Sequence, residues 1–224
     1  ARTRLDHGGT VHCAQFSSDG GTLVSSGFEE LPRIRVWDAA SLQLLQVLEG
    51  HSSVVAGVAV HPDGQRIASA SYDGSLRVWN IPTGTCIRSA KDAQANRLNC
   101  VAYDGDGTLL ATGGDDGVVR LWDADSLSLI HAFEGGQRRI PALCFSPDGK
   151  LLASCDLPGG AVRIHDLASW QTRSLGQASQ LGERTVCFSP DGRRLASAGD
   201  DRKISLWDVA TGSLLASWEA HTYD

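Results

Sequence analysis

His51, Ser69 and Asp73 are the residue types of a nucleophilic hydrolase: a hydroxyl to attack, an imidazole to take its proton, a carboxylate to orient the imidazole. Partial sets stand at matching spacing elsewhere, as His7 with Ser25, Thr112 with Asp116 and Ser197 with Asp201. A nucleophile has no use for repeated copies, and no glycine elbow surrounds Ser69. Asp115-Asp116 and Asp200-Asp201 are carboxylate pairs, the raw material of glycoside hydrolysis, but they occupy equivalent places in separate segments. Asp104-Gly105-Asp106-Gly107-Thr108 opens like a calcium loop, yet Leu109 stands at the sixth position, where that loop needs glycine. His12 and Cys13 are neighbours on an expected strand and point to opposite faces. No Cys-x-x-Cys pair and no phosphate-binding glycine loop occur. These readings predict no catalytic residue, no metal site and no cofactor.

The elements that must carry these residues repeat. Aromatic-Asp or aromatic-Asn pairs close each segment at Trp37-Asp38, Trp79-Asn80, Trp122-Asp123, His165-Asp166 and Trp207-Asp208, 42 or 43 residues apart. Asp-Gly turns keep the same beat at Asp19, Asp63, Asp106, Asp148 and Asp191. The segment from Gly50-His51 to Trp79-Asn80 is the most regular. In the first segment, strands are expected over Val11–Phe16, Leu23–Ser26, Arg33–Trp37 and Leu44–Leu48, with inner strands buried on both faces. Helical periodicity is absent.

This pattern resembles the WD-repeat family, and the resemblance covers essentially the whole chain. It implies an all-β propeller of four-stranded antiparallel blades forming one domain. The repeats fall at about residues 7–50, 51–93, 94–135, 136–178 and 179–220. Residues 1–6 read as the outer strand of a preceding blade and 221–224 as the start of a further one. The expectation is part of a longer propeller of about seven blades. The alternative is a five-bladed ring, or an arc completed by another chain. The resemblance also implies that His51, Ser69, Asp73 and Trp79 form a structural hydrogen-bonded set, which places a buried indole N–H and a buried imidazole on partners. Other repeats depart from it: Gln94, Gly136 and Ser179 stand where His is expected, and His165 replaces Trp. The second blade is therefore expected to be the most rigid and the fourth the loosest.

The 224 residues are 42% hydrophobic and 21% charged, with a net charge of -6. That balance argues against a broad nucleic-acid surface, and no apolar run or signal peptide points to a membrane. The six cysteines read as reduced, buried thiols of a cytoplasmic protein, several of them on equivalent inner strands. There is no methionine, so Ala1 is read as a processed or cut end. The resemblance implies a non-catalytic protein–protein interaction scaffold. Two alternatives stand beside it: the sensor or regulatory portion of a larger chain such as an ATPase or kinase, and a propeller enzyme. Repeat register places Glu29, Glu30, Tyr72, Asp115 and Asp200 on one rim, with Arg97, Arg138 and Arg139 near it on the third and fourth repeats. A Tyr among carboxylates suits a basic peptide or protein, giving a bipolar surface.

Overall fold

The computed structural model describes residues 8–28, 31–91, 97–134, 138–177 and 181–220. Twenty strands form five antiparallel four-stranded sheets, each wound in chain order. The first blade comprises β1 (Thr10–Phe16), β2 (Thr22–Phe28), β3 (Arg33–Asp38) and β4 (Leu44–Glu49). The second has β5 (Val55–Val60), β6 (Arg66–Ser71), β7 (Ser75–Asn80) and β8 (Thr85–Lys91). The third has β9 (Leu98–Tyr103), β10 (Leu109–Gly114), β11 (Val118–Asp123) and β12 (Leu129–Glu134). The fourth has β13 (Arg139–Phe145), β14 (Leu151–Leu157), β15 (Ala161–Asp166) and β16 (Thr172–Gln177). The fifth has β17 (Glu183–Phe188), β18 (Arg194–Gly199), β19 (Lys203–Asp208) and β20 (Leu214–Glu219).

Each β1–β2-type hairpin turns at an Asp-Gly. Asp63 accepts the backbone N–H of Gln65 at 2.7 Å, and Gly64 takes a φ of 69° that an L side chain resists. The third turn of each blade follows the aromatic pair. Asp38 Oδ1 accepts both the N–H and the hydroxyl of Ser41, at 2.6 and 2.7 Å. Asn80, Asp123, Asp166 and Asp208 do the same for Thr83, Ser126, Ser169 and Thr211. The polar half of the aromatic pair therefore shapes the turn into the outer strand.

The core lies between blades. Val24, Ile34, Val36 and Leu48 of the first meet Val58, Val60, Ile67 and Trp79 of the second. Ala68, Leu76 and Val78 meet Leu98, Leu110 and Trp122. Ala111, Leu121 and Phe133 meet Ile140, Leu143 and Leu152. Val162, Ile164 and Leu175 meet Val186, Leu195 and Trp207. Each fully buried side chain of this size contributes roughly 1.5–3 kcal/mol. Inner strands β1, β5, β9, β13 and β17 stand side by side in that order.

Among the described residues the ring is open, and no other blade packs on the outer face of its first or its last sheet. Trp218 on β20 is 47% exposed, although its counterparts Leu48 and Phe133 are 1% and 2% exposed. Phe16 on β1 is 58% exposed against 8% for its counterpart Val60. Burial of every inner strand on both faces is thus corrected: β1 is largely exposed along its length, because a blade face is covered only where another blade packs on it. All six cysteines are free, but Cys86 on β8 and Cys187 on β17 are exposed, which corrects the reading of uniformly buried thiols. Burial does raise the Cys100 and Cys144 thiols to about 12. Residues 1–7 and 221–224, including the expected strand pieces at 1–6 and 221–224, lie outside the described residues.

Candidate functional site

In the second blade, Trp79 Nε1–H donates to Ser69 Oγ at 2.8 Å, Ser69 Oγ lies 2.7 Å from His51 Nε2, and His51 Nδ1 lies 2.8 Å from Asp73 Oδ2. The sequence places these groups on four consecutive features of one blade: the loop before β5, the middle of β6, the loop before β7 and the end of β7. The set has one self-consistent proton order. Trp79 donates to Ser69, Ser69 to His51, and the Nδ1–H tautomer of His51 to Asp73. Burial opposes ionisation of Asp73, but hydrogen bonds from His51, Ser75 and the Ser52 N–H outweigh it and hold the carboxyl well below the usual range. Ser69 is fully buried with its oxygen occupied by an indole N–H, a geometry in which it braces the blade and meets no substrate.

The other blades keep part of this set. Trp37 donates to Ser25 at 2.8 Å, Trp122 to Thr112 at 2.9 Å and Trp207 to Ser197 at 3.0 Å. In the third blade Asp116 turns to Arg120, 2.7 Å away on β11. In the fourth, His165 fills the indole place, 2.9 Å from Ser154 and 2.8 Å from Thr172 Oγ1, with its ring 4.7 Å from that of Phe133. Burial first, and Arg163 second, lower its pKa to about 4, so it is a neutral packing group at pH 7. His7, Gln94, Gly136 and Ser179 lie outside the described residues.

Glu183 was missed by sequence reasoning. It begins β17 opposite Gly199, where the second and third blades carry the buried apolar Val55 and Leu98 opposite Ser71 and Gly114. Its carboxyl reaches Ser197, leaves Oε2 without a partner, and is raised to about 7, by burial above all and by nearby Asp201. An acid in an otherwise apolar column of the repeat is the signal that could have found it.

Of the rim residues, Glu29 and Glu30 lie outside the described residues. Tyr72 and Asp115 are half-buried and Asp200 is exposed, and the three occupy the equivalent loops before β7, β11 and β19. Tyr72 joins three blades. Arg97 lies 5.1 Å from its ring centroid, and Arg139 Nη2 donates to its hydroxyl at 3.2 Å. Asp115 accepts Asn99 Nδ2 at 2.9 Å and has Arg139 Nε at 3.7 Å. Asp200 forms a two-pronged ion pair with Arg184. Both charges are therefore interleaved along the rim, each described carboxylate beside an arginine of the chain itself.

A cavity of about 540 Å³ lies against the inner strands of the first four blades, lined by Phe16, Val60, Tyr103 and Phe145 among others. A second, of about 430 Å³, opens on the fourth blade between Arg138, Asp156 and Arg163. Among the described residues, no three His, Cys, Asp or Glu side chains converge as metal ligands.

A family model, the WD domain, G-beta repeat, matches residues 2–38, 42–80, 84–123, 127–166 and 178–208. Among known proteins, a stretch of the small ribosomal subunit protein RACK1y of Oryza sativa subsp. japonica is 36% identical over 80 residues, covering 35% of this chain and 23% of that one. Pre-mRNA-processing factor 19 of Bos taurus is 32% identical over 71 residues, 32% of this chain and 14% of that protein. Nuclear distribution protein PAC1 of Yarrowia lipolytica is 42% identical over 71 residues, 31% of this chain and 16% of that protein. The matched stretch spans less than a quarter of each of these relatives.

Proposed function

Because the chain belongs to the WD-repeat family, we propose that it is a non-catalytic interaction scaffold that docks a protein or peptide on the rim carrying Tyr72. One observation carries the reading. Tyr72, Arg97 and Arg139 come from three adjacent blades and hold one another in place through a ring–guanidinium contact and a hydrogen bond. Tyr and Arg are the residue types that anchor interfaces, and rigid presentation lowers the entropy lost on binding. Asp115 and Asp200 supply carboxylates to a basic side chain of the partner, which enters by exchanging with Arg139 or Arg184. Free thiols fit a cytoplasmic setting.

The test is affinity capture on the wild-type chain and on Tyr72→Ala, followed by titration of each captured protein that the variant loses. Tyr72→Ala is expected to weaken the partner by about 2 kcal/mol, roughly thirty-fold. Asp115→Asn is expected to slow association and flatten its salt dependence. A partner that binds both variants as it binds the wild type moves the contact off this rim.

A further inference from the structure

The fourth blade lacks a carboxylate that its neighbours possess, and a cavity stands in that place. In the second and third blades the residue two before the start of β7 or β11 is Asp73 or Asp116. Counted back in the same way from β15, the residue is Gly159. The arginine two before the closing aromatic recurs as Arg77, Arg120 and Arg163. Arg120 is met by the loop carboxylate Asp116. Arg163 has no loop carboxylate to meet, and its Nη1 reaches down to both oxygens of the buried Asp156 on β14.

The space left over is the 430 Å³ cavity lined by Arg138, Asp156, Gly159, Arg163, Ser174 and Gly176 with Ala161. Two guanidinium groups face one carboxylate there, so the lining carries a net charge of +1. Arg163 is one-fifth exposed, and its Nη1 alone is spent on Asp156. Arg138 leans in from the start of β13, donates to the carbonyl of Pro158, and lies where a Cβ on Gly159 would be. Gly159 has a φ of 108°, so glycine both admits Arg138 and keeps the place open. Ser174 adds a hydroxyl. Guanidinium donors in a partly enclosed site favour groups with paired acceptor oxygens, and the volume falls in the range of small-ligand pockets.

We propose that this cavity is an oxyanion-binding site, which takes a phosphoryl or carboxylate group between Arg138 and Arg163 in the place of the missing loop carboxylate. The site is separate from the Tyr72 contact and needs no partner bound there. The oxyanion reaches it either free or carried on a peptide side chain.

The test is an NMR titration of the whole chain with sodium phosphate at ionic strength held constant with chloride. Saturable shifts are expected at Gly159, Gly176 and the Arg163 Nε–H. Arg138→Ala, which removes one exposed side chain, is expected to weaken phosphate at least ten-fold, with Arg193→Ala unchanged as the control. A Ser174→Glu variant, which places an acid in the cavity, is expected to abolish the shifts and leave the fold's other resonances in place. Acetylated and amidated Gly-phosphoserine-Gly, compared with its unphosphorylated form, separates the sources. Tighter binding than inorganic phosphate assigns a peptide-borne group, and equal or weaker binding assigns a free anion. Shifts that chloride reproduces, shifts that fail to saturate, or equal affinity in Arg138→Ala overturn the proposal. None of these results bears on partner binding by Tyr72→Ala, so the two readings fail separately.

Discussion

At the scale of single residues, the blades solve one problem in different ways: a serine or threonine hydroxyl in the middle of the second strand must be satisfied at depth. The second blade uses a one-directional chain from Trp79 through Ser69 and His51 to Asp73. The fifth places a carboxylic acid, Glu183, against Ser197. Glu183 also faces Asp201, and its charge is felt at Cys155 on β14. The sign of its effect on stability follows from the raised pKa. Unfolded, Glu183 titrates near 4.5; folded, it keeps its proton to about 7. Between those values only the unfolded chain has lost the proton, so stability falls as pH rises and levels off above 7. Glu183→Gln supplies the neutral form at every pH. It is expected to exceed the wild type by about 2–3 kcal/mol at pH 8 and to match it near pH 4, read from urea denaturation at pH 4, 6 and 8. Equal stability at pH 8 contradicts a buried, proton-holding Glu183. The His51 set was legible through the family resemblance, because the second repeat carries all four of its residues. Glu183 was not, because a search for a histidine substitute looks at Ser179, four residues earlier, and the side chain that comes to Ser197 starts from within the strand.

At the scale of elements, the second and fourth blades make a fair comparison, since each is covered on both faces. The second blade's polar groups form a chain from a neutral indole to a hydrogen-bonded carboxylate. The fourth substitutes His165 for the indole and buries the Asp156–Arg163 ion pair. Burial raises the Asp156 carboxyl, against the pull of Arg163 and Arg138, so desolvation takes back much of what the pair returns. Amide exchange in β5 and β6 is therefore expected to be slower than in β13 and β14, measured by hydrogen–deuterium exchange under native conditions. Slower exchange in the fourth blade makes the ion pair a better brace than the four-residue set. In the first repeat the strands were readable to within a residue or two, because an Asp-Gly turn and an aromatic-Asp pair mark the first and last hairpins of the blade. The charge environment of the rim was not. Register puts Arg139 and Asp115 near one rim on different repeats, but only the angle between blades brings the Arg139 guanidinium to both Asp115 and Tyr72.

At the scale of the whole molecule, the same inter-blade packing that builds the core decides what is left uncovered. Every blade offers one face to the blade before it and one to the blade after. Four interfaces bury Leu48, Val78, Phe133 and Leu175 with their neighbours. On the fifth blade, Trp218 of β20 stays about half exposed where its counterparts Leu48 and Phe133 are buried, and on the first Phe16 and Phe28 are more than half exposed. Exposed aromatic side chains favour association, and the two faces are complementary in kind, since equivalent faces meet at each interface inside the arc. This chain is therefore expected to self-associate head to tail as its concentration rises, a heterologous contact of the sort that lengthens into chains unless its rotation closes. Sedimentation velocity across a hundred-fold range of concentration checks this. Trp218→Glu changes a side chain that is about half exposed, on an outer strand, so the fold is expected to stand while the concentration dependence disappears. A wild-type chain that sediments as one species over the whole range shows that the end faces are tolerated in water, and that the arc is stabilised by its four internal interfaces alone.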